Sequence, residues 1–138
     1  MIGRKLTDGL SVSPQMPPDA MAEIAASGFR AVLVNRPDGE EPGQPSTDAM
    51  EAAARAAGLE FHRLPVTMPS LSTEDAAAFS AALDELPGPV LAYCRTGTRS
   101  TALWALSQAG KRPTDEILSI AAAAGYDLSM LRPRLDAA

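Results

Sequence analysis

A chain of 138 residues with 12 Lys+Arg, 17 Asp+Glu, 1 His and 1 Cys fits one compact domain, residues 1–138, able to bury a sizeable core. Its formal net charge of −5 argues against nucleic acid or an anionic membrane as a default partner. One Cys excludes an intrachain disulfide and a multi-thiolate metal site, and one His leaves a His-rich centre equally short of ligands, so neither a metal nor another cofactor is expected.

Residues 4–13 read as a hairpin, because Leu6 and Leu10-Ser11-Val12 flank a Thr7-Asp8-Gly9 turn. Pro17-Pro18-Asp19 opens a first helix that Gly28 ends, and Phe29 to Val34 forms a strand stopping at Asn35. The run from Arg36 to Pro45 holds three prolines and two glycines and is the clearest long loop. Ser46 caps a second helix to about Ala57, closed by Gly58. Leu59 to Val66 is a second strand, followed by a Thr67–Leu71 loop. Ser72-Thr73-Glu74-Asp75 resembles a capping box before a helix that runs to about Leu86, where Pro87-Gly88 breaks it. Pro89 to Tyr93 has the apolar character of a buried central strand. A helix follows from Arg99 or Ser100 to Ala109, Thr114 caps another that stops at Gly125, and Asp127 starts a short last one. Aromatic residues are 4% of the chain, so the core is built from Ala, Leu, Ile, Val and Met. The alternation predicts an α/β fold, a central and mainly parallel sheet of about four to five strands flanked by helices. No apolar stretch follows the basic start and no run reaches the length of a membrane span, so a soluble cytoplasmic protein with no membrane partner is expected.

The chemistry concentrates in Tyr93-Cys94-Arg95-Thr96-Gly97-Thr98-Arg99-Ser100, between a buried strand and a helix. Open α/β sheets place ligands at this end of a strand. Cys94 supplies a sulfur that is nucleophilic as thiolate. Amides along Arg95, Thr96, Gly97 and Thr98, converging at a helix N-terminus, form a positive nest that favours the thiolate and takes an oxyanion. Gly97 lets the loop turn tightly. The Arg99 fork can grip two oxygens of a tetrahedral anion. Ser100 is placed to donate a hydrogen bond to the sulfur. The competing reading is a buried structural thiol with Arg95 and Arg99 solvated.

This segment resembles two enzyme groups. Dual-specificity and tyrosine-specific phosphatases carry His-Cys-x-x-Gly-x-x-Arg-Ser/Thr, whereas rhodanese sulfurtransferases often carry Cys-Arg-x-Gly-x-Arg or Thr. Cys94-Arg95-Thr96-Gly97-Thr98-Arg99, with four residues between Cys and Arg, is spelled like the second. Val32-Leu33-Val34-Asn35-Arg36 and Phe61-His62-Arg63-Leu64-Pro65-Val66 are similar to strand segments of the phosphatases. With Ser13-Pro14-Gln15 and Asn35-Arg36-Pro37-Asp38-Gly39-Glu40, almost the whole chain resembles the bacterial beta-lactamase-hydrolase-like protein, phosphatase-like domain family. The resemblance implies a single phosphatase-like domain. The separate metallo-hydrolase domain that the family name suggests is expected to be absent here.

Two positions depart from the phosphatase pattern. Tyr93 stands where the phosphatases have His, and Met68 stands where dual-specificity phosphatases have the catalytic Asp. Asp38, on the long loop, is a candidate substitute acid, although Pro37-Asp38-Gly39 is also a turn signature. Glu40 and Glu41 are adjacent alternatives, and Glu74 and Asp75 read as cap charges. Arg36 is either a second cation over the anion site or the partner of Glu40. His62 reads as a packed or solvated strand residue, with a Cys–His dyad as the competing idea. Trp104 reads as core. The expected substrate is a small anion, either a phosphate ester or a sulfane-sulfur donor. The leading expectation is a cysteine-dependent phosphatase-like hydrolase; the alternatives are a sulfurtransferase carrying a Cys94 persulfide and a non-catalytic oxyanion-binding module.

Overall fold

The computed structural model describes residues 3–68 and 71–138. Strands β1 (Arg4–Thr7) and β2 (Leu10–Ser13) form the expected hairpin. A short 3-10 turn leads into α1 (Met21–Ala26), then β3 (Ala31–Val34), α2 (Thr47–Ala56) and β4 (Glu60–Arg63). After α3 (Thr73–Glu85) come β5 (Val90–Tyr93), α4 (Thr98–Gln108), α5 (Thr114–Ala123) and α6 (Arg132–Asp136). The sheet order is β1-β2-β5-β3-β4, and every pairing except the hairpin is parallel. This is the expected mainly parallel α/β sheet, with five strands.

Because side chains alternate across a strand, β3 and β5 feed two cores. Ala31, Leu33, Val90 and Ala92 join Phe79, Leu103, Trp104 and Ile117 from α3, α4 and α5. Val32, Val34, Leu91 and Tyr93 join Met21, Ile24 and Met50 from α1 and α2. All eight strand residues are buried, as central parallel strands require. Trp104 is core, as expected.

The local signals place the helix ends. The Ser46 hydroxyl accepts from the Ala49 N–H, and Ser72 with Asp75 completes the capping box. Three expectations need correction. The Leu59–Val66 strand is regular only over Glu60–Arg63: the Leu64 N–H still donates to the Val34 carbonyl, but the Val66 N–H donates to the Asn35 carbonyl, one residue short of the ladder register. Thr114 is the first residue of α5 and makes no side-chain cap; Pro113 precedes it in an extended conformation and its carbonyl accepts from the Ile117 N–H. Asp127 bonds the Ser129 N–H and opens a 3-10 turn before α6. In the Thr67–Leu71 loop, Pro69 and Ser70 lie outside the described residues.

β5 inserts between β2 and β3, so the carboxyl ends of three parallel strands meet. There the Ser13 carbonyl accepts from the Cys94 N–H at 3.4 Å, and the Tyr93 carbonyl accepts from the Asn35 N–H at 2.8 Å. The sheet's switch point thus falls at Cys94, where such folds hold ligands.

Candidate active site

Gly97 carries the turn between β5 and α4 at φ +93°, a left-handed conformation that disfavours side chains. Its N–H donates to the Cys94 sulfur at 3.1 Å. Two outward bonds fix the loop: the Gln15 N–H donates to the Arg95 carbonyl at 3.1 Å, and the Tyr126 hydroxyl donates to the Thr96 carbonyl at 3.0 Å. Carbonyl and N–H of a trans peptide point in opposite directions. Tyr126 therefore anchors the far end of the very peptide whose N–H faces the sulfur. A Cβ on Gly97 would run into the Tyr126 hydroxyl. No periodicity or local motif singles out Tyr126, because its partners lie about thirty residues earlier in the chain.

Cys94 is fully buried, as the competing structural-thiol reading expects, with its sulfur against the Gly97 N–H. Arg99 reaches over from the first turn of α4. Its Nη1 donates to Glu40 Oε2 at 2.6 Å and to the Val66 carbonyl at 2.9 Å, while Nη2 donates to Glu40 Oε1 at 2.7 Å. Those contacts hold the outer end of the fork, and the same guanidinium also interacts with the Cys94 sulfur. The hydrogen bonds that Arg99 donates to Glu40, and the nearby Cys94, raise the Arg99 pKa further, so it is a permanent cation. Arg95 points outward, more than half exposed, with Nε 3.8 Å from Glu41. The Thr96 hydroxyl donates to that of Thr98. A cleft of about 330 Å³ opens over the loop, lined by Glu40, Thr67, Met68, Arg95, Thr96, Thr98 and Arg99.

The structure decides four sequence-based readings. Arg36 is buried and donates to Gln15 at 3.1 Å, Glu40 at 3.0 Å and Glu41 at 2.9 Å, so it supports the acidic pair instead of facing the cleft. Ser100, also buried, donates to Asn35 Oδ1 at 2.8 Å rather than to the sulfur. The Asp38 carboxylate accepts from the Thr47 N–H at 2.7 Å and the Thr47 hydroxyl at 2.9 Å; it caps α2 and lies away from the cleft over Cys94. His62 sits on β4, separated from β5 by β3, and in register its neighbours are Leu33 and then Ala92, which rules out the dyad. Tyr93, the residue in place of His, is buried, and its pKa is pushed up by burial first and by the Asp38 charge second, so the phenol stays neutral.

The family model described as beta-lactamase hydrolase-like protein, phosphatase-like domain matches residues 3–111. The chain belongs to that family. A beta-lactamase hydrolase-like protein from Xylella fastidiosa is 40% identical over 125 residues, covering 89% of this chain. The chain spans 29% of that relative's length. A crystal structure from Neisseria meningitidis, assigned provisionally as a phosphatase, matches at 39% identity with a TM-score of 0.92, covering 99% of this chain and 98% of that one. The fold extends to Tk-PTP in its active form, at 19% identity and TM-score 0.73, covering 98% of this chain and 93% of that one. This phosphatase-like domain thus has the fold that its sequence resemblance implies. Among its described residues no helix is long and apolar enough to cross a membrane.

Proposed function

We propose that this phosphatase-like domain is a cysteine-dependent hydrolase of small phosphorylated molecules. The observation that carries the reading is the pairing, at one strand end, of a sulfur bonded by the Gly97 amide with the Arg99 guanidinium held beside it. The likeness to the Neisseria protein supports it. An incoming phosphate takes the Gly97 amide from the sulfur and occupies the loop, its oxygens shared between loop amides and Arg99. Cys94 then attacks phosphorus: the S–P bond forms as the bond to the leaving oxygen breaks. Water next attacks the phosphocysteine, the S–P bond breaks, and dihydrogen phosphate leaves a thiolate behind.

Hydrolysis of nitrophenyl phosphate by the wild-type chain, abolished in Cys94→Ser, tests the proposal. The serine variant should still show a raised Tm with inorganic phosphate, because the amides and Arg99 remain. Two results would replace the reading. One is an untouched aryl phosphate together with a gain of one sulfur on Cys94 after thiosulfate, seen by intact mass, which means sulfur transfer. The other is neither reaction but a phosphate-dependent Tm, which means an anion-binding module.

A further inference from the structure

The cleft lies over the buried Cys94 and is lined by the Arg99 cation, but among the described residues it holds no carboxyl free to hand a proton to a departing oxygen. All 17 Asp and Glu side chains fall within the described residues, since Met1, Ile2, Pro69 and Ser70 carry no carboxyl. Of these, Glu40 alone lines the cleft. Its two oxygens are fully engaged: Oε1 accepts from Arg36 Nε and Arg99 Nη2, and Oε2 accepts from Arg99 Nη1. Both guanidiniums, Arg99 foremost, hold its carboxyl below the usual glutamate range, so it stays ionised. Asp38 is tied to Thr47, and Glu41 is bonded to Arg36 outside the cleft. The lining also includes Met68, 44% exposed, whose thioether has no proton to give.

We infer that this site acts on phosphoryl groups whose leaving group departs as a stable anion, namely phosphoanhydrides, acyl phosphates and acidic aryl phosphates, and discriminates against alkyl phosphate esters. The inference rests on the hydrolase reading proposed above. In the first step the P–O bond breaks with both electrons going to the leaving oxygen, which departs unprotonated as the S–P bond forms. In the second step water supplies the new oxygen and the sulfur leaves as thiolate; the phosphate formed passes its surplus proton to solvent. General acid catalysis is typically worth about 10²–10⁴-fold, and that factor is what an alkoxide leaving group lacks here.

The test is a leaving-group series on the wild-type chain: dinitrophenyl, nitrophenyl, chlorophenyl and phenyl phosphate, with acetyl phosphate and an alkyl phosphate at the two ends. Without a proton donor, the rate of the first step should fall steeply along the series as leaving-group pKa rises. Phosphate release from acetyl phosphate should be fast and from the alkyl ester lower by more than about 10³-fold. A flat dependence with normal turnover would overturn the inference while leaving the hydrolase reading intact, because some group must then be protonating the leaving oxygen. No turnover even of dinitrophenyl phosphate would remove the hydrolase reading and the inference with it.

Discussion

Glu40 holds Arg99 by both terminal nitrogens, at 2.6 Å and 2.7 Å, and Arg36 holds Glu40 from behind at 3.0 Å. The carboxylate thereby sets the angle of the fork. Glu40→Gln keeps the size of the side chain but offers one acceptor and turns an amide toward a cation. The KM for nitrophenyl phosphate should rise about tenfold, equivalent to about 1.4 kcal/mol, with a smaller change in kcat.

The same carboxylate gives a pH signature. Arg99 first, and Arg36 after it, make Glu40 harder to protonate in the folded chain than in the unfolded one. The unfolded chain therefore takes up this proton at higher pH. The Glu40 contribution to stability is complete above the ordinary glutamate range and is lost as pH falls through and below it. Urea melts should show Glu40→Gln destabilised at neutral pH and converging with wild type in acid. A gap that stays constant with pH would disprove the coupling.

The Gly97–Tyr126 contact predicts an energetic coupling. Tyr126→Phe leaves the Thr96 carbonyl without its donor and should cost about 1 kcal/mol. It should also lower kcat/KM, because the peptide that presents the Gly97 N–H loses its outer anchor. Gly97→Ala meets two obstacles, the left-handed φ and the collision with the tyrosine hydroxyl. Combining Gly97→Ala with Tyr126→Ala removes the collision but not the backbone penalty. Thermal melts should find the double variant more stable than the sum of the two single losses.

Ser100 and Asn35 join α4 to the sheet. The serine hydroxyl donates to Asn35 Oδ1, and Asn35 Nδ2 donates to the Leu64 carbonyl at 3.0 Å. Both side chains are fully buried. Ser100→Ala strands one acceptor and should cost about 1–3 kcal/mol. Asn35→Ala strands the hydroxyl and the carbonyl together, so its loss in denaturant melts should be the larger of the two.

Much of this architecture was legible because it is written locally. The apolar runs Ala31–Val34 and Val90–Tyr93, the serines at positions 46 and 72 and the glycine at 58 each sit beside the groups they act on. The loop around Cys94 was legible for the same reason. What sequence could not supply were partners fixed by packing. Tyr126 meets Thr96 because the end of α5 comes back over the start of α4, and Glu40 meets Arg99 across fifty-nine positions. Arg36 was read with two open roles, and its burial against Gln15, Glu40 and Glu41 decided between them.

Asp38 offers the sharpest separation of loop chemistry from turn chemistry. Its carboxylate accepts two hydrogen bonds from Thr47, the first residue of α2, where a negative charge also meets the positive end of the helix. Asp38→Asn keeps the Oδ1 acceptor and removes only the charge. Its cost should be about 0.3–1 kcal/mol, seen as a small drop in Tm. Asp38→Ala removes the acceptor as well and should cost more, around 1 kcal/mol or above. The decisive readout is kinetic. With the carboxyl directed at Thr47, the leaving-group dependence of Asp38→Asn should overlay that of wild type from dinitrophenyl to phenyl phosphate. Selective slowing of phenyl phosphate in this variant would mean that the loop swings Asp38 over the cleft during turnover and that its proton reaches the leaving oxygen.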